Sequence, residues 1–132
     1  MKIMNAILLS GVIVSTSALA ITPEQRQELD RNLNNAIQNC DNVSGLVMDV
    51  YRARHDDYTM SESINNFQGA YGYPEEIIYE AVTRVYTVLP VYTNRWSIDF
   101  HVNKVGIDVY ENCMEQVNAV YLVEEYKLER GQ

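Results

Sequence analysis

Residues 40–54 read Cys-Asp-Asn-Val-Ser-Gly-Leu-Val-Met-Asp-Val-Tyr-Arg-Ala-Arg. Val43, Val47 and Val50 recur at spacings of four and three, with Leu46 and Tyr51 beside them. That is the period of one apolar helix face. Cys40 opens the stretch, and the only other cysteine, Cys113, lies far downstream. The stretch predicts a core helix and one end of a staple. It carries no signature of a reaction.

Upstream, Thr22-Pro23-Glu24-Gln25 reads as a helix start, with Thr22 as N-cap, Pro23 in the first turn and Gln25 closing a capping box. Leu29, Leu33, Ala36 and Cys40 continue the same face, so one helix over about 23–54 is expected. A break near Asp41-Asn42 or Gly45 is the alternative. Downstream, Thr59-Met60-Ser61-Glu62 is a second capping box, and Met60, Ile64 and Phe67 give a short helix its apolar face. Pro74-Glu75-Glu76 opens a third helix whose stripe is Ile78, Ala81, Val82, Val85 and Leu89, and Pro90 ends it. Trp96, Ile98, Phe100 and Val102 alternate as a strand would. Ile98, Val102, Val105, Val109, Cys113, Val117 and Val120 nevertheless hold helical spacing over six turns, and the longer pattern predicts a helix from about 94 to 128. The expected fold is all-α: a small bundle of about four helices, in one domain spanning 21–132.

The ends and the composition set the compartment. Met1-Lys2 is a short basic start, Ile3 to Ala20 is largely apolar, and Ala18-Leu19-Ala20 closes on a small-x-small pattern. Residues 1–20 therefore read as a signal peptide cut after Ala20, giving an exported chain, periplasmic or secreted. The mature chain would carry net −9, with 9 Lys+Arg against 18 Asp+Glu once Lys2 is lost. Such acidity disfavours nucleic acid and anionic membranes as partners, and no later segment is long and apolar enough to span a bilayer. Two cysteines in an exported chain predict one disulfide, Cys40–Cys113, constraining the unfolded chain by about 4–5 kcal/mol in the loop-entropy account.

The residues Cys40, Gly45, Leu46, Val50 and Arg54, then Thr59-Met60-Ser61, Val85-Tyr86 and Tyr110-Glu111-Asn112-Cys113, form a longer pattern. Over 40–113 the chain resembles small exported helical proteins of bacteria and their phages. These share Cys-x4-Gly-Leu, an aliphatic residue, an Arg fourteen positions after the Cys, and Tyr-x-x-Cys or a near variant. Asp57 stands where that group often has a glycine, and Ile21–Asn39 extends further upstream than the pattern. The resemblance implies export, a helical fold and the disulfide. It brings no activity and no catalytic residue.

Chemistry is hard to find in the residues. His55-Asp56-Asp57 reads as a solvated connection, and His101 lacks a second His at ligand spacing, so no metal site is expected. Glu76 and Glu80 stand one helical turn apart on an exposed face. Arg54 reads as a structural anchor that caps helix carbonyls or pairs with Glu62 or a nearby aspartate. Ten tyrosines against two Phe and one Trp are the compositional anomaly. Tyr71 and Tyr73, flanked by Gly69 and Gly72, together with Tyr79, form the expected contact patch. The functional expectation is an exported binding or inhibitory protein acting through contacts with a protein partner. It is not expected to be an enzyme, and no cofactor is called for. The alternatives are a chaperone-like stress protein, or else a small-ligand carrier or enzyme.

Overall fold

The computed structural model describes residues 21–131; the expected signal peptide, 1–20, lies outside them. Four α-helices follow in order: α1 (Pro23–His55), α2 (Met60–Asn66), α3 (Glu75–Val88) and α4 (Arg95–Glu129), with one 3-10 turn at Ala70–Gly72 before α3. No strand occurs among the described residues. The fold is the expected all-α one, stapled by a Cys40–Cys113 disulfide whose Cα atoms are 5.6 Å apart.

Helix α1 is continuous through Asp41-Asn42 and Gly45. Its start is the capping box read from sequence: the Gln25 amide donates to Thr22 Oγ1 at 3.1 Å, and the Thr22 amide donates to Gln25 Oε1 at 3.0 Å. The second box is also formed, with Thr59 Oγ1 accepting from the Glu62 amide and Glu62 Oε2 from the Thr59 amide. Each box satisfies N–H groups that a helix start otherwise leaves bare. The turn between α1 and α2 passes through Asp57 at φ 67°, in the left-handed region that Asp and Asn tolerate better than most residues.

The described chain divides into two compact units: 37–115, and the ends 21–36 with 116–131. In the unit 37–115, Leu46, Val50 and Tyr51 of α1, Ile78, Val82 and Val85 of α3, and Val102 of α4 form the buried core. The α3 residues are the predicted stripe. On α1 the buried side is Leu46, Val50 and Tyr51, with Val43 and Val47 only half-buried. Of the predicted α4 stripe Val102 alone is fully buried, while Val120 is exposed. Gly106 lies where α4 presses on α1: a Cβ there would overlap Met48, and Ser44 Oγ donates to the Gly106 carbonyl at 2.7 Å. In the unit formed by 21–36 and 116–131, Arg26 pairs with Glu125 at 2.6 Å and donates to the Tyr121 hydroxyl at 3.0 Å. Leu29 is buried there, while Val120, Leu122, Val123 and Tyr126 stay exposed.

Candidate functional site

The last turn of α1 organises the connection that carries the chain from α3 into α4. Tyr51, Arg54 and His55 share one helix face by their spacing of three and four. The buried Tyr51 donates its hydroxyl to the Pro90 carbonyl at 2.5 Å, and burial pushes this phenol's pKa up. Arg54 Nη1 donates to the Val85 and Leu89 carbonyls, at 2.6 and 2.5 Å. Those carbonyls close α3, whose final turn lacks intrahelical donors, and a cation there also opposes the negative end of the helix dipole. The guanidinium stands 5.2 Å from the centre of the Tyr86 ring.

His55 completes the set. Its Nε2 accepts the Tyr92 backbone N–H at 3.1 Å, and its Nδ1 faces the Tyr51 carbonyl at 2.8 Å. The Tyr92 ring lies flat on His101 at 3.8 Å between centroids. Both histidines of the chain therefore serve to fix Tyr92, and with it the 89–94 connection.

The fixed connection delivers the chain to Asn94, whose Oδ1 accepts from the Trp96 and Ser97 amides at 2.8 and 3.3 Å and so caps α4. Beyond the cap, Trp96, Phe100 and Ile107 fall on one outer face of α4, at spacings of four and seven. They are 72%, 49% and 57% exposed. The Trp96 and Phe100 rings stack with centroids 5.5 Å apart, and Phe100 meets the His101 ring edge-on at 5.1 Å. Beside this stripe Arg52 holds Asp99 at 3.1 Å, and Lys104 holds Asp108 at 2.9 Å. The Asp108 hydrogen bond is the main influence raising the Lys104 pKa. Along the same face Met48, Gly106, Ile107 and Tyr110 line a groove of about 600 Å³, rimmed by Asp41 and Glu111.

The chain matches no family model, no curated protein and no solved structure.

The tyrosines singled out in the sequence are placed differently from one another. Tyr71 and Tyr73 lie against α1: the Tyr71 hydroxyl donates to Asp49 Oδ2 at 2.7 Å, and the Tyr73 hydroxyl to Asn39 Oδ1 at 2.7 Å. Tyr71 fits because residue 45 is glycine; a Cβ there would sit 2.8 Å from the Tyr71 hydroxyl. The bond to Asp49 is the main cause of the raised Tyr71 pKa, and burial raises that of Tyr73. Tyr79, on α3, is 55% exposed, and no hydrogen bond or ring pair joins it to Tyr71 or Tyr73 among the described residues. Gly69 and Gly72 do adopt left-handed conformations, but Tyr71 between them does so too, at φ 56°. The loop lays Tyr71 and Tyr73 along α1 by their hydroxyls, while Tyr71 remains 45% exposed and Tyr73 half-buried.

Of the acidic and histidine clusters, Asp56 and Asp57 are exposed beyond α1, and His55 is engaged as described. No group of three or more His, Cys, Asp or Glu that could hold a metal stands together among the described residues. The Trp96–Phe100 pair was not read from the sequence as a site. The signal lay in its spacing: Ile98, Val102 and Val105 face the core, so Trp96 and Phe100, off that stripe on the same helix, must face away.

Proposed function

We propose that the chain is an exported binding or inhibitory protein that acts by contact with a protein partner through the outer face of α4. The observation that carries this reading is the Trp96–Phe100 stack with Ile107. Large apolar side chains seldom stand together on a surface without a use, and Trp is the residue type most enriched among the anchors of protein interfaces. The polar staples beneath support it. A platform whose approach is held by Tyr51, Arg54 and His55 has little left to order when a partner arrives, which lowers the entropic cost of association. Export is supported by the Cys40–Cys113 disulfide, since such bridges persist in oxidising compartments, and by the resemblance of 40–113 to exported helical proteins. No helix among the described residues is long and apolar enough to cross a membrane.

The test places a photo-crosslinking amino acid at position 96, 107, 79 or 84 of the chain expressed with its N-terminal segment in a bacterial host. Adducts of one defined mass at 96 and 107, with none at 84, are expected. Adducts confined to 79, or equal at all four positions, would place the contact elsewhere.

A small-ligand carrier is favoured by a different feature. Between 25–36 and 117–128, Leu29, Leu33, Val117 and Leu128 line a groove of about 540 Å³, within the range of small-molecule sites. A fluorescent fatty-acid analogue that binds at micromolar concentration and is lost in Leu33→Asp would support that reading; no binding would remove it.

A further inference from the structure

The charge around the α4 face says what kind of partner it fits. Residues 37–115 hold twelve Asp and Glu against five Lys and Arg. Three of those five cations are already committed: Arg52 to Asp99, Lys104 to Asp108, and Arg54 to the carbonyls that end α3. Asp41 and Glu111, which rim the groove beside Ile107, have no salt-bridge partner among the described residues. Glu111 is felt only weakly, as the last influence on the Lys104 ammonium. Met48, Ile107 and Tyr110 supply apolar lining to the groove, alongside Ser44 and Asn103.

A groove lined by apolar side chains together with two carboxylates unpaired among the described residues matches one kind of protein side chain closely. Lys and Arg carry an aliphatic stem that packs on apolar surface and a cationic head that stays at the polar edge. Resting on the reading of α4 as the contact face, we propose that its partner presents a basic segment. One Arg or Lys would lie in the groove with its head between Asp41 and Glu111, and the neighbouring residues would run along Phe100 to the Trp96 indole. A second cation over that exposed ring gains further attraction from its π face. The net negative field of 37–115 also speeds the approach of such a segment and repels acidic competitors.

Trp96 is the only tryptophan, so its emission reports on the site directly. The full mature chain, disulfide intact and ¹⁵N-labelled, is titrated with hexa-arginine and with hexa-glutamate. Expected with hexa-arginine are a saturable change in Trp96 emission and amide shifts confined to 41–48 and 96–111, weakening as salt is added. Hexa-glutamate should give neither. Asp41→Asn with Glu111→Gln should weaken binding about ten-fold or more. Glu75→Gln with Glu76→Gln, on α3, should change it less than about two-fold, the size of a surface charge effect.

Shifts centred on Glu75, Glu76 and Glu80 would overturn the proposal, because hexa-arginine would then be answering to charge alone. The same shifts with calcium chloride would make the groove a cation site, and their growth with protein concentration alone would make it a contact between copies. Both results overturn it. If hexa-arginine fails while crosslinking at position 96 still captures a protein, the basic partner is wrong and the contact face stands. If both fail, the face itself is wrong.

Discussion

At the scale of single residues, Gly45, Thr83 and three tyrosines can be checked separately. Gly45 leaves room for Tyr71, whose hydroxyl would sit 2.8 Å from a new Cβ. Gly45→Ala should therefore cost stability, although alanine is the better helix former by about 1 kcal/mol. In a Tyr71→Ala background the obstacle is gone, and the same change should stabilise; a sign that does not reverse in urea melts would mean Tyr71 is not packed there. Thr83 Oγ1 is buried and has no hydrogen-bond partner. Thr83→Val should raise stability by about 1 kcal/mol, because an unpaired buried hydroxyl costs more than a methyl group of the same shape. The phenols of Tyr51, Tyr71 and Tyr73 have folded pKa values raised above 10.0, so the folded chain holds these protons more tightly than the unfolded chain. Their contribution is complete below pH 10 and lost as pH climbs through the raised values. Absorbance at 295 nm should show part of the ten tyrosines ionising late, together with loss of helix, and Tyr71→Phe should remove one late phenol.

At the scale of the element, Arg54 decides how α3 ends. Arg54→Ala removes both hydrogen bonds to the Val85 and Leu89 carbonyls and leaves the negative helix end without its cation. A loss of about 2–3 kcal/mol is expected, with faster amide exchange in the last turn of α3; Arg54→Lys should recover part of it. Unchanged exchange in that turn would mean the cap is redundant. The first three helices were legible because each is written twice, as a 3.6-residue stripe and as start or stop chemistry at Thr22, Thr59, Pro74 and Pro90, whereas α4 was legible from its stripe alone. The ambiguous run 96–102 resolved as helix because Ile98 and Val102 belong to a stripe that continues to Val105. The tyrosines were not legible in this way. Tyr71 meets Asp49 and Tyr73 meets Asn39 across 22 and 34 residues of chain, and no local spacing encodes where a loop will lay its side chains.

At the scale of the whole molecule, the disulfide closes a covalent ring from Cys40 to Cys113, and one compact unit, 37–115, nearly coincides with that ring. The loop-entropy account gives the bridge about 4–5 kcal/mol, so Cys40→Ala and Cys113→Ala should lower the melting temperature by similar amounts, and the double variant by little more. The ends 21–36 and 116–131 bury only Leu29 among their large apolar residues. They should open first, because local stability follows buried contacts. Brief subtilisin treatment should trim them and leave a resistant fragment near 37–115, whose mass is read before and after reduction. A first cut inside 46–105 would contradict that order. Two cysteines in the sequence foretold the bridge, but the division into units was not foretold, since α1 and α4 each run through the boundary without a break in their pattern.

The ring has a mechanical consequence. Because Cys40 and Cys113 are joined with their Cα atoms 5.6 Å apart, the two tails leave the ring from one point. Tension applied to the ends of the chain passes from the first tail through the sulfur bridge into the second, and the core of 46–102 never bears the load. A pulled molecule should lengthen by its tails alone, then yield roughly a further 250 Å, at about 3.5 Å per residue over the 73 residues of separation, only once a reductant cuts the bridge.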